Sequence, residues 1–116
     1  MTVMHELSIV QSIVDIAETQ VRQAGARQVD CIELDIGQLA GVEWSALDFA
    51  WEVAVRHTVL QGAERVVRRI PGKAKCLECQ KVFNLSALYD ACPDCNAHFH
   101  QILSGRELRV SALTVS

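Results

Sequence analysis

This sequence predicts an α+β fold: a three-stranded sheet covered by two helices, with a small cysteine-bearing module inserted ahead of the last strand. Three observations predict it. Residues 5–24 and 44–57 repeat their apolar side chains at steps of three and four, the helical period. Three short runs alternate with the strand period of two. Two Cys-x-x-Cys pairs, Cys76/Cys79 and Cys92/Cys95, stand twelve residues apart between the second and third of those runs.

At 116 residues the chain is one ordinary domain, or a small one carrying an insertion. Half of the residues are hydrophobic, enough to bury a core, so disorder is excluded. No apolar run approaches the roughly 20 residues that cross a bilayer, and the start lacks the pattern of an export signal. The expected compartment is therefore the cytoplasm, where thiols stay reduced and free to bind metal. A net charge of −3 hides an asymmetry: residues 1–62 carry nine acids and three bases, residues 63–116 five acids and eight bases.

In the first helix Val10, Ile13, Val14, Ala17, Val21 and Ala24 share a face, Glu6 lies in the first turn where the helix dipole favours an anion, and Gly25 is placed for a left-handed cap. Ile32, Leu34 and Ile36 then alternate with Cys31, Glu33 and Asp35, a strand that Gly37 ends. That register turns Cys31 away from the core side, though a cover could bury it. Residues 38–43 read as a connection. The second helix carries Leu47, Ala50, Trp51 and Ala54, with Phe49 and Trp51 as core or interface anchors. Gly62 separates it from a strand over 65–70, which Pro71-Gly72 ends, and Leu108, Val110 and Ala112 mark the closing strand.

Four thiols at the observed spacing can wrap one tetrahedral ion, each Cys-x-x-Cys turn presenting two sulfurs to a common point. A structural zinc site in a zinc-ribbon-like module is the expectation, with ligands Cys76, Cys79, Cys92 and Cys95. Four cysteines leave the metal no open position, so the site holds structure together and does no catalysis. A disulfide framework would need export and would strand Cys31. The domain plan is residues 1–72 as the first part of the main domain, 73–103 as the zinc module, and 104–116 as the last strand returning. Phe83, Leu85, Leu88 and Phe99 are the expected miniature core of the module. His98 and His100, one residue apart on an expected strand, would share a face; they read either as ordinary surface or hydrogen-bonded residues or as accessory residues beside the site.

Met4-His5-Glu6 is the second candidate. A histidine near a chain start offers amine, amide nitrogen and imidazole, a nitrogen-rich set that suits nickel or copper, although a single early histidine is also an ordinary solvated side chain.

Met-His-Glu-Leu-Ser-Ile-Val leading into a long helix, then Asp35-Ile-Gly, Leu-Asp-Phe-Ala-Trp-Glu over 47–52, the paired Cys-x-x-Cys turns and Ser-Gly-Arg-Glu-Leu-Arg-Val over 104–110, in this order, resemble the HypA/HybF family. The resemblance implies a nickel metallochaperone that delivers Ni(II) during maturation of nickel-iron hydrogenase. Carried over, the nickel elements fall on Met4 (its amine), His5 and Glu6, with Glu43 as an accessory acid, and structural zinc falls on the four cysteines. Residues 1–72 are then a nickel-binding domain. The implied partners are a hydrogenase-maturation accessory GTPase and the hydrogenase large-subunit precursor; a homodimer is left open. In the family Met-His-Glu begins the protein, whereas Met1-Thr2-Val3 precede it here; either Met4 is the natural start, the favoured reading, or nickel is bound differently in this chain.

Other classes are weighed against this carrier. A zinc-ribbon nucleic-acid binder or partner-docking adaptor would use Arg65, Arg68, Arg69, Lys73 and Lys75; the net negative charge and the lack of an aromatic run argue against nucleic acid. A rubredoxin-like electron carrier would put iron on the same four sulfurs. An enzyme has no support: there is no nucleophile paired with a base and no glycine-rich phosphate loop.

Overall fold

The computed structural model describes residues 3–116, with side chains from His5 onward. The elements follow the order α1 (Val3–Gln23), β1 (Val29–Gly37), α2 (Trp44–Ala54), β2 (Glu64–Ile70), β3 (Lys73–Cys76), β4 (Val82–Asn84), β5 (His100–Ser104) and β6 (Leu108–Val115). They make an α+β fold with two three-stranded sheets, ordered β2-β1-β6 and β4-β3-β5. Two compact units result. Residues up to 34, with 42–67 and 110–116, form unit one; residues 35–41 and 68–109 form unit two. No helix among the described residues is long and apolar enough to cross a membrane.

Unit one buries the α1 stripe Val10, Ile13, Ala17 and Val21 with Ile32 and Leu34 of β1 and Leu47, Ala50 and Trp51 of α2, as the helical and strand periods require. Ala24, expected on that stripe, is exposed. Gly25 at φ +64° ends α1, and the Ala26 N–H closes back on the Val21 carbonyl at 3.0 Å. The second helix is shorter than its periodicity suggests. His57 turns to φ +62° and gives its N–H to the Gln61 side chain instead of a helical carbonyl, so the chain leaves the helix after Ala54. Trp51 is buried under Arg65, whose guanidinium lies 5.2 Å from the ring centroid and bonds Asp48 at 2.6 Å. Phe49 is 57 % exposed and is no core residue; the helix turn that buries Leu47 and Ala50 carries it outward.

Unit two is built on antiparallel pairing of β3 with β4 and of β3 with β5. Its core is Ala74, Cys76, Phe83, Leu85 and Cys92, closed by Leu39, Ala97 and Ile102. Leu88 and Phe99, expected there, are exposed. The register explains Phe99: β5 sets Ile102 opposite Ala74 and His100 opposite Cys76, which leaves the odd-numbered residues outside. The supposed connection at 38–43 is more than a link, because Leu39 fills part of this core. Three chain passages meet beside it. A β-carbon on Gly37 would fall 1.9 Å from the Gly105 carbonyl oxygen, and one on Gly72 would fall 2.2 Å from that of Leu85.

Asp35 also departs from expectation. Strand alternation places it on the open face, yet it is fully buried. Arg68 of β2 grips it with Nε and Nη2 at 2.7 and 3.0 Å, and Arg109 of β6 donates its Nε at 3.0 Å. The carboxyl is held below its usual range, first by the Arg68 hydrogen bonds, with Arg109 adding to them against the opposing cost of burial.

Candidate metal centres

Each Cys-x-x-Cys turn folds the same way. The residue after the second cysteine, Gln80 or Asn96, takes a left-handed φ of 67° or 62°. Its N–H returns to the carbonyl of the first cysteine, Gln80 to Cys76 at 3.0 Å and Asn96 to Cys92 at 2.9 Å. The first cysteine donates in turn to a carbonyl five residues on, Cys76 to Lys81 and Cys92 to Ala97, both at 2.8 Å. Two such knuckles face each other and gather four sulfurs within 4.8 Å of one another, Cys76 and Cys92 buried, Cys79 and Cys95 exposed. Lys81 and Asp94 form an ion pair at 3.5 Å from one knuckle to the other.

The sulfurs suit a metal. Cys76 Sγ lies 3.5 Å from Cys95 Sγ, and Cys79 Sγ lies 3.6 Å from Cys92 Sγ. A zinc–sulfur bond of about 2.3 Å gives a tetrahedral edge of about 3.8 Å, so small adjustments close the cage. All five cysteines are free thiols. Their proton affinities diverge as crowded thiols must. The Cys79 N–H leads in bringing Cys76 down to about 7, against burial. At Cys95 the Ala97 N–H pulls downward, but the Cys76 thiol, burial and the other two sulfurs push it up to about 12. A cation brings off the later protons, so metal and protons compete for the cage.

His100 stacks on Phe83 at 6.0 Å and 9°, with both ring nitrogens buried and without a hydrogen-bond partner among the described residues. Pairing with Cys76 across β3 and β5 places it beside the knuckle. His98 precedes β5 and is exposed, so the two histidines do not form the common strand face expected of them.

The N-terminal motif is assembled in unit one. His5 sits in the first turn of α1 with its side chain 48 % exposed, and Glu6 beside it is fully buried. First-turn amides have no acceptor within their helix, which leaves the His5 backbone nitrogen uncommitted to α1. Glu6 Oε2 accepts the Glu43 N–H at 3.2 Å and lies 3.3 Å from His5 Nδ1, while Oε1 has no partner among the described residues. Burial raises the Glu6 carboxyl, but the Glu43 N–H, the His5 ring and its own amide outweigh it and hold it below the usual range. Glu43 caps α2, accepting from Ser45 N–H at 3.2 Å and Ala46 N–H at 2.7 Å. Thus His5, Glu6 and Glu43 come together; Met4 lies outside the described side chains.

Long-range partners hid Asp35 and Leu39 from sequence reasoning. The Asp35-Ile-Gly run was a signal for the first; Leu39 had none. Among the bases read as a nucleic-acid row, Arg65 is already engaged by Asp48 and Arg68 by Asp35.

A family model described as hydrogenase/urease nickel incorporation, metallochaperone, hypA matches residues 4–115. The hydrogenase maturation factor HypA of Geobacter metallireducens is 44 % identical over 112 residues, covering 97 % of this chain and 99 % of that protein. Its counterpart from Parabacteroides distasonis is 40 % identical and 97 % of each chain is covered. Among solved structures, a solution structure of HypA protein superposes with a TM-score of 0.70 at 25 % identity, covering 97 % of both chains. The solution structure of the Ni metallochaperone HypA from Helicobacter pylori gives 0.67 at 23 % identity, over 95 % of this chain and 96 % of that one, and supports the fold.

Proposed function

The chain belongs to the HypA family of hydrogenase/urease nickel-incorporation metallochaperones, and we propose that it carries Ni(II) to a nickel-iron hydrogenase precursor from a site at His5 while zinc at Cys76, Cys79, Cys92 and Cys95 holds the ribbon-like module. The observation that carries this reading is the setting of His5: an exposed imidazole in a helix's first turn, beside a buried carboxylate that the Glu43 N–H fixes in place.

In this reading the imidazole, its backbone nitrogen and, in a protein that begins at Met4, the Met4 amine hold the cargo ion. Glu6 and Glu43 orient the turn. A half-exposed imidazole among nitrogen donors suits a carrier, since an incoming protein's ligands can replace them one at a time. Zinc supplies cross-linking alone, because four thiolates leave it no open position. The protein is a carrier with no reaction of its own, working in the cytoplasm between an accessory GTPase and the hydrogenase large-subunit precursor. Residues 1–72 serve as the nickel-binding part and 73–103 as the zinc module, with 104–116 returning to the former.

Native mass spectrometry with and without one equivalent of nickel tests this. The expected result is one zinc retained, one nickel gained, and the nickel lost in His5→Ala with zinc unchanged. Nickel retained in His5→Ala would overturn the N-terminal site.

A further inference from the structure

We propose that the solvent face of the β4-β3-β5 sheet in unit two is a docking surface for an acidic amphipathic helix of another protein. One face of this sheet carries Ala74, Cys76, Phe83 and Ile102 into the unit two core. Strand alternation turns the residues between them the other way. Lys75 stands there between Val82 of β4 and Gln101 of β5. One row along, Leu77 and Phe99 are opposed, the Leu77 N–H donating to the Phe99 carbonyl at 3.0 Å. One row the other way, Lys73 is flanked by Leu103, the extra residue of a bulge between the pairs Ala74–Ile102 and Lys73–Ser104.

Leu77, Val82, Leu103 and Phe99 are 48 to 71 % exposed. Single apolar residues on a surface need no explanation, but four on one small sheet face mark a contact. The two lysines say what makes it. Neither has an ion-pair partner among the described residues, and β3, β4 and β5 carry no acid. A partner that covers the apolar groups must therefore bring carboxylates to the middle of the face. Helices are the elements that cover sheet faces. Lys73 and Lys75, two residues apart on a strand, are separated by about 6.7 Å. Carboxylates at i and i+4 of a helix lie about 6 Å apart along its axis, so one helix reaches both lysines while its apolar neighbours cover Val82, Leu103 and Phe99. Nucleic acid fits less well, because three of the four apolar groups are aliphatic and give a base no ring to stack on.

Amide NMR spectra of the isotope-labelled, zinc-loaded full chain test the docking, recorded during titration with a stapled helical peptide that bears glutamates at i and i+4 among leucines. The expected result is saturable shifts at residues 73–77, 82 and 99–103, with a dissociation constant that rises about tenfold in Lys73→Glu and in Phe99→Ser. Both positions are exposed, and circular dichroism with zinc stoichiometry checks that each variant is folded and metal-loaded. Shifts absent from those residues, binding that both variants leave unchanged, or equal binding of the peptide with lysines in place of its glutamates would each overturn the proposal. Tighter binding of oligothymidylate than of the acidic peptide at the same face would overturn it in favour of nucleic acid. Nickel binding at His5 enters none of these outcomes.

Discussion

Unit one buries side chains that are hydrocarbon almost throughout, from Val10 on α1 to Leu60, whereas two of the five residues in the unit two core are the cysteines Cys76 and Cys92. The strands of unit two are also short: β3 has four residues and β4 three. So small a core offsets little of the entropy of ordering its chain. An ion held by Cys76, Cys79, Cys92 and Cys95 would fill the gap, joining two knuckles that are distant in sequence and already shaped by their own hydrogen bonds. The difference teaches that one chain can use two stabilising principles, and that a metal is the more economical where the chain is mostly turns.

Metal removal is the sharpest way to break that comparison. A strong chelator, or Cys92→Ser, should abolish amide protection across residues 73–104 while the α1 and α2 amides of unit one stay protected, read by hydrogen exchange and mass spectrometry. Simultaneous loss in both helices would show that the units share one stabilising principle. The converse variant is Leu47→Ala, which opens a cavity in the hydrocarbon core. It should cost about 3 kcal/mol in denaturant unfolding yet leave one metal per chain.

Asp35 sharpens the comparison from the polar side. Its carboxyl in the folded protein lies below the ordinary value of 3.8, so its grip on Arg68 and Arg109 stabilises the fold above that pH and is lost as pH falls through the folded value. Asp35→Asn should therefore be less stable than the parent at pH 7, and the gap in their urea midpoints should narrow below about pH 4. A gap independent of pH would assign the effect to packing. The smallest expected effect is at Gln80, whose left-handed backbone a glycine adopts freely; Gln80→Gly should stabilise unit two by about 1 kcal/mol without changing unit one. Loss of metal affinity in that variant would mean that the Gln80 side chain has another task.

What could be read from the sequence follows the same division. The α1 stripe and the Ile32-Leu34 alternation were legible because helical and strand periods repeat locally, and the cysteine pairs because each knuckle is local too. Asp35 was not, since its burial depends on arginines 33 and 74 residues away. Phe99 was misread as core because one residue of register at the start of β5 decides which side is inside. Leu39 looked like linker. The unit two core and the folded return of the 72 and 105 passages give it something to pack against. At the N-terminal site, His5 and Glu6 were legible as a motif, whereas their tie to the α2 cap through the Glu43 N–H was not.

The meeting of Gly37, Gly72 and Gly105 has a consequence at the level of the gene. Every single-base change in a glycine codon that yields another amino acid adds a β-carbon, and at Gly37 and Gly72 that atom would land inside a neighbouring carbonyl group. At Gly105 it would press on the Gly72 Cα at 2.6 Å, from a backbone already at φ +110°. Selection therefore has no single step away from these codons that the fold tolerates. Sequences descended from this one should therefore retain all three glycines.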